Sequence, residues 1–346
     1  MRRLPALIAA AALGALVARA VPGTPPAFAA PNAPVGPADF SGVAAASEGA
    51  VVHVMSYLSR PRDLPSSGDR GPTDEAMGSG FVLGADGWIV TNQHVVGGGE
   101  SIYVQVKGRG WLPARVVGTD PVIDIAVLKV DAAGLPTLPV GDPRSLRLGA
   151  WVIAVGSPYR LARSFTAGIV SGLERSDVGT PNPFEDFIQH DAAVNVGSSG
   201  GPLLDAGGRV VGVNTAILSR TIGNQGISFA VPVDVVVPSF ESIRATGRPP
   251  RRASVGASVR DLAAREAITV PGGAGQVVTR FADDSAARRA GLAEGDVLLA
   301  VGGVPTPTRG ALLRTLWAQG AGGRPVLFDV WRRGQRLQVS VTPVER

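Results

Sequence analysis

From about residue 46 to residue 232 the chain repeats one pattern. Short apolar runs are each followed by a glycine, proline or polar break. "SGFVLGADGWIVTN" (79–92) reads as a strand, an Ala-Asp-Gly turn and a second strand. "ARVVGTD", "DIAVLKV", "WVIAVG", "GIVSGL", "FIQHDA", "RVVGVNTAIL" and "GISFAVPV" are further strand candidates. No long segment of 3.6 periodicity interrupts them, so the pattern predicts a mainly β barrel or sandwich. A helix is expected near 233–246, with Pro238 tolerable only close to its first turn.

"TGRPPRRAS" (246–254) breaks the pattern with two prolines and two arginines and reads as a linker. Beyond it, strands are expected near 255–260, 275–280, 296–301, 325–332 and 335–342. Helices are expected near 284–290 and 308–318. This second unit is a small α+β domain.

Composition narrows the chemistry. The 346 residues include 46 glycines and 28 prolines, which fits many turns between short strands. There is no cysteine, which excludes disulfides, thiol nucleophiles and thiolate metal sites. Three histidines, His53, His94 and His190, form no zinc motif. The net charge of +5 is scattered, its densest clusters "RPPRR" and "WRRGQR" being short, so no nucleic-acid partner is expected. At the start, Arg2 and Arg3 precede an apolar run from Leu4 to Val17, and "AFA" follows at 27–29. Residues 1–30 therefore read as an export signal peptide, with an uncleaved anchor and membrane association as the alternative. The resulting divisions are a signal segment 1–30, a flexible Pro- and Ala-rich lead-in 31–45, a mainly β domain 46–247, a linker 248–253 and a second domain 254–346.

"VNVGSSGGPLL" (194–204) places adjacent hydroxyls in a glycine turn between apolar runs. Serine catalysis needs a base, an acid to orient it and backbone donors for an oxyanion. A base is available as His94 in "IVTNQHVV". An acid is available in "DPVIDIAVLK" as Asp124, with Asp120 four residues earlier as a rival that alternation places on the same face. The order His94, Asp124, Ser199 is that of the chymotrypsin-like double barrel.

"GSGFVLGADGWIVTNQHVV", "DPVIDIAVLKV", "IQHDAAVNVGSSGGPLLD" and "GVNTAILSRTIGNQGISFAVPV" resemble the motifs of the HtrA (Deg) family of serine proteases. The resemblance implies a trypsin-like double β-barrel protease domain followed by one PDZ domain. It makes Ser199 the nucleophile, His94 the base and Asp124, which directly precedes "IAVLK", the acid. The amides of Gly197 and Ser199 would form the oxyanion hole. Ser198 stands where the family usually has asparagine, and His190 where threonine is common. Val194 and Ala216, Ile217 and Leu218 would surround the S1 pocket. All four are apolar, which implies cleavage after small or medium aliphatic residues. Arg175 matches the family's sensor loop, a solvated arginine being the alternative. The polar stretch 65–80 matches a loop that is longer in cage-forming members.

"DDSAARRAGLAEGDVLLAVGGVPTPT" (283–308) resembles the family's PDZ pattern. Its carboxylate loop would be Ser254, Val255, Gly256 and Ala257. Leu312, Leu313 and Leu316 would line the peptide groove or serve as core. The family further implies an ATP-independent endopeptidase acting on unfolded or misfolded proteins in the periplasm or cell envelope. It implies a homotrimer and neither metal nor organic cofactor. The alternative reading is a chaperone-like or PDZ scaffold protein with an idle protease site.

Overall fold

Twelve strands close into two six-stranded barrels, and why they do so is visible in how each strand sorts its side chains. A computed structural model describes residues 38–58, 75–157, 163–176, 178, 184–217 and 225–346. The expected signal segment lies outside the described residues. Barrel 1 is formed by β1 (Val51–Tyr57), β2 (Glu75–Gly84), β3 (Trp88–Asn92), β4 (Ser101–Val106), β5 (Gly110–Asp120) and β6 (Ile125–Val130). Barrel 2 is formed by β7 (Trp151–Gly156), β8 (Ser164–Arg175), β9 (Phe187–His190), β10 (Pro202–Asp205), β11 (Val210–Ile217) and β12 (Ser228–Pro232).

Successive strand residues point to opposite faces. On β6, Ala126, Leu128 and Val130 fill barrel 1, while Ile125 and Val127 enter a second cluster shared with barrel 2. On β7, Val152 and Ala154 fill barrel 2, while Ile153 and Val155 enter that same shared cluster. Strands buried on both faces read as continuous apolar runs, which is the pattern of the sequence. The seam between the barrels is therefore a continuous buried apolar core to which both barrels contribute.

Helices occupy the margins. α1 (Ser41–Ser47) overlaps the stretch 31–45 expected as a flexible lead-in, so residues 41–45 are helical. Phe40 and Val43 pack on the shared core, and that burial orders the segment. α2 (Gln93–Val96) is a single turn directly after β3. α3 (Val233–Thr246) places Pro238 in its second turn, not its first. Val235, Val236, Phe240 and Ile243 bury one face against the barrels, and this packing outweighs the backbone hydrogen bond a proline removes. The polar stretch 65–80 is partly strand: Glu75–Gly80 belong to β2, paired with β1, and 65–74 lie outside the described residues.

The C-terminal unit comprises β13 (Ala253–Ser254), β14 (Ala257–Asp261), α4 (Ala264–Ala267), β15 (Gln276–Phe281), α5 (Ala286–Arg289), β16 (Val297–Val301), β17 (Val304–Pro305), α6 (Arg309–Gln319), β18 (Val326–Arg332), β19 (Gln335–Val341) and β20 (Val344–Glu345). Thr308 caps α6, its hydroxyl accepting from Ala311 N at 3.1 Å. The helix carries two apolar stripes. Leu312 and Leu316, at i and i+4, sit in this unit's own core. Leu313 and Trp317 pack instead on the barrels' shared core, with Trp317 stacked on Phe184. The three leucines thus divide between two cores.

Charged contacts accompany that packing. Arg309 pairs with Glu185, and Arg314 pairs with both Asp186 and Asp234. Burial pushes the Asp186 carboxyl above its ordinary range, against the pull of Arg314. Within the stretch read as a linker, Arg252 is pinned. Its guanidinium donates to both Asp120 oxygens, at 2.9 and 2.5 Å, and lies 4.6 Å from the Trp317 ring centroid.

Candidate active site

Asp124 sits at the start of β6 in the left-handed backbone region, with φ 55°. Aspartate tolerates that conformation better than most residues. The bend turns its groups back on to α2. Its carbonyl accepts from Gln93 N at 3.1 Å and from Asn92 Nδ2 at 2.8 Å. Its Oδ1 accepts from His94 N at 3.0 Å. The unpaired amides at the start of α2 are thereby satisfied, and the short helix is fixed.

Oδ2 of Asp124 faces two donors. His94 Nδ1 lies 2.6 Å away, and Thr215 Oγ1 donates at 2.9 Å. An ionised carboxylate only accepts, so the proton resides on Nδ1 and His94 Nε2 is left as an acceptor. The imidazole is about half exposed and Asp124 mostly covered. Asp120, the rival acid, is fully buried and engaged by Arg252 and Ser239. It holds the linker to barrel 1 and, among the described residues, forms no hydrogen bond or ion pair with His94.

Ser199 reaches the same rim from barrel 2. Its carbonyl accepts from Ser79 N at 2.7 Å. A methyl on Gly78 would stand 2.6 Å from Val95 of α2 and 2.9 Å from the Ser199 carbonyl. A methyl on Gly200 would stand 2.9 Å from Asn92 N, two residues before His94. These close approaches bring the Ser199 turn against α2 and explain the glycines on both sides. Among the described residues, no hydrogen bond joins His94 to Ser199.

The turn itself is tightly specified. Ser198 N donates to Asn195 O at 2.9 Å, with Gly197 at φ 96°. A positive φ at the third position of such a turn favours glycine. The Gly197 carbonyl is held by Ser79 Oγ at 2.6 Å, and that hydroxyl accepts from Ser157 N at 2.8 Å. Gly200 N donates to Asn214 O, and Gly201 N to Ser198 O. Within the described hydrogen bonds, the amides of Gly197 and Ser199 donate to nothing. Ser198 is buried, whereas Ser199 is partly open to solvent.

The comparisons with known proteins follow this geometry. A trypsin-like peptidase domain model matches residues 78–213, and a PDZ domain model matches 277–332. The HtrA-type protease AlgW, solved with a tripeptide, superposes with a TM-score of 0.74 at 31% identity, covering 89% of this chain and 97% of that one. AlgW with a decapeptide gives 0.71 at 30% identity, covering 89% and 99%. The chain belongs to the HtrA family. DegP-like periplasmic serine endoproteases of Pseudomonas putida and Halomonas elongata are 39% and 40% identical to it, each over 80% of this chain. The chain spans 57% and 58% of their respective lengths.

In this HtrA chain the other expected site residues fall as follows. Val194 is buried in the core of barrel 2. Ala216 and Ile217 end β11, and Leu218 lies outside the described residues. Arg175 ends β8, where its Nε donates to Gln189 Oε1 at 2.8 Å across the space Gly172 leaves open. Ser176 next to it donates to Asp261 of the PDZ unit at 2.8 Å. Ser254 belongs to β13, Gly256 takes φ 69°, and Ala257 opens β14. A cavity of about 530 Å³ lies between β14 and α6, lined by Val255, Ala257, Leu312, Leu313 and Leu316. Pro121 and Val122 of barrel 1 and Pro250 of the linker wall it on another side.

Three positioning groups escaped the sequence reading: Thr215, Ser79 and Asn214. Their shared signal is a polar side chain inside an otherwise apolar strand, a costly placement unless it is hydrogen-bonded.

Proposed function

We propose that this chain is an exported, ATP-independent serine endopeptidase acting on unfolded or misfolded proteins in the cell envelope. The observation that carries this reading is the Asp124–His94 pair, braced by Thr215, beside a nucleophile turn with two unengaged amides. Ser199 Oγ attacks the substrate carbonyl as its proton passes to His94 Nε2, the nitrogen that the Asp124 contact leaves free. Asp124 then stabilises the imidazolium. The oxyanion is received by Gly197 N and Ser199 N. His94 returns the proton to the departing amine, and water later cleaves the acyl-enzyme by the same route in reverse.

Val194, Ala216, Ile217 and Leu218 are all apolar in sequence, which on the family resemblance supports cleavage after Val, Ala or Leu. One methylene changes such selection by only about 1–3 kcal/mol, which makes the preference broad. The cavity between β14 and α6 supports capture of extended C-terminal peptides by strand addition, with the carboxylate at Ser254–Ala257. Arg175, tied to Gln189 beside the Ser176–Asp261 contact, supports a sensor role. Export to the periplasm is supported by the names of the DegP-like relatives and by the apolar segment after Arg3. The working unit is taken as a homotrimer without metal or organic cofactor, on the family resemblance.

Digestion of β-casein followed by mass spectrometry of the fragments tests the reading. Cleavage mainly after Val, Ala and Leu is expected. A profile dominated by cleavage after Arg or Lys would contradict the pocket assignment, and intact casein at every peptide-activator concentration would contradict the endopeptidase itself.

A further inference from the structure

Barrel 2 buries an imidazole that the mechanism above does not use. His190 ends β9 and has no solvent exposure. It pairs with Val170 on β8 and with Ser228 on β12. Val170 and Ile188 belong to the apolar interior of barrel 2, and alternation along β9 puts His190 on the same face as Ile188. Burial drives its pKa down to about 4, against the opposite pull of the Asn214 side chain, the Asp191 carboxylate and the Ala192 backbone. The ring is therefore neutral at ordinary pH, with one N–H donor and one acceptor nitrogen.

Two needs are unmet in that interior. Neither ring nitrogen of His190 has a hydrogen-bond partner, and neither does Asn214 Oδ1. The Asn214 carboxamide and the Ala192 backbone both lie near enough to act on the ring, yet neither meets the geometry of a formed hydrogen bond to it. Everything else on Asn214 is committed to the nucleophile turn. Its Nδ2 donates to Gly201 O at 3.2 Å and to Pro202 O at 3.0 Å. Its carbonyl accepts from Gly200 N at 2.8 Å, and its own N donates to Gly201 O at 2.9 Å. Asn214 thus grips the three residues that follow Ser199.

We propose that His190 is a positioning residue, whose neutral ring donates to Asn214 Oδ1 and so fixes the carboxamide that holds the turn carrying Ser199. That bond joins a spare donor to a spare acceptor in an apolar interior, where leaving either unmade is costly. The bond also sets which way the carboxamide faces. With Oδ1 claimed by the ring, Nδ2 must point at the Gly201 and Pro202 carbonyls. The opposite orientation would set Oδ1 against two carbonyl oxygens. The catalytic consequence rests on the endopeptidase reading, whereas the structural one does not.

The test uses the full chain and two readouts. His190→Leu keeps the bulk and removes the donor; His190→Gln restores a donor that cannot become a buried cation. Hydrogen exchange of the backbone segment 196–204 is followed by mass spectrometry, and casein hydrolysis gives kcat and KM. In His190→Leu, exchange in 196–204 is expected to rise about tenfold, the equivalent of ~1.4 kcal/mol or one hydrogen bond. A similar fall in kcat with KM little changed accompanies it, and His190→Gln recovers both to within about threefold. Should Leu prevent folding, the smaller His190→Val carries the same comparison. Unchanged exchange in 196–204 without the donor overturns the proposal. So does faster exchange spread evenly over all strands of barrel 2, or a Gln variant no better than Leu. If wild type leaves casein intact while the Leu variant still loosens 196–204 selectively, His190 positions the turn and the endopeptidase reading falls alone.

Discussion

Ser199→Ala is expected to lose casein hydrolysis by on the order of 10⁴–10⁶-fold, with its fold intact. The substitution removes one oxygen from a partly exposed position. Ser199's structural duty is carried by its backbone, since its carbonyl accepts from Ser79 N. The turn's shape is set by Gly197, Gly200 and Asn214, none of which needs the Ser199 hydroxyl. Circular dichroism and the melting midpoint should therefore match wild type while hydrolysis disappears. Ser198→Ala provides the contrast. Ser198 Oγ is turned inward, accepting from Asn195 N at 3.4 Å, so hydrolysis survives its removal. Equal hydrolysis by wild type and Ser199→Ala would show that the activity resides elsewhere.

Asp124→Asn is expected to lower kcat by about 10⁴-fold, with much smaller effects on KM and stability. The carboxylate now accepts from three donors: His94 N, His94 Nδ1 and Thr215 Oγ1. A carboxamide of the same shape offers one acceptor oxygen and one donor NH₂. With the oxygen kept by His94 N, the NH₂ group faces Nδ1, and the proton is driven to Nε2. The base then cannot accept from Ser199. Because the backbone bonds from Gln93 and Asn92 to the Asp124 carbonyl remain, α2 stays in place. Initial-rate measurements across pH separate this from a simple loss of base strength: the defect should persist over the whole pH range assayed. A loss of less than about tenfold would mean that Asp124 is not what orients the imidazole.

The fold and the site were not equally legible in the sequence. The strands were readable because apolar runs of strand length between glycine turns have few other solutions. What those runs hid was their division of labour. Ile125 and Ala126 look alike in sequence, yet one faces the seam between the barrels and the other fills barrel 1. His94, Asp124 and Ser199 were singled out because each stands in a long motif in a recognisable order; the structure joins His94 to Asp124 and brings the Ser199 turn beside α2. The left-handed bend at Asp124 was not, since nothing local distinguishes an aspartate in that conformation from one in an ordinary turn. Asp120 had been a plausible rival by alternation alone. Only tertiary structure shows it committed to Arg252, 132 positions away in sequence. α1 was missed because a proline- and alanine-rich stretch looks flexible until a remote surface takes up Phe40 and Val43. The second stripe on α6 was likewise invisible, because Leu313 and Trp317 answer to a core built by another part of the chain.

The central claim is that His94, fixed by Asp124, makes the Ser199 hydroxyl reactive. Labelling with a fluorophosphonate, followed by mapping of the adduct, tests this most directly, because the reagent needs an activated serine and no particular substrate. A single adduct on Ser199, lost in His94→Ala, is the expected result. Labelling of Ser199 at an undiminished rate in His94→Ala, or an adduct on another serine, would contradict the account.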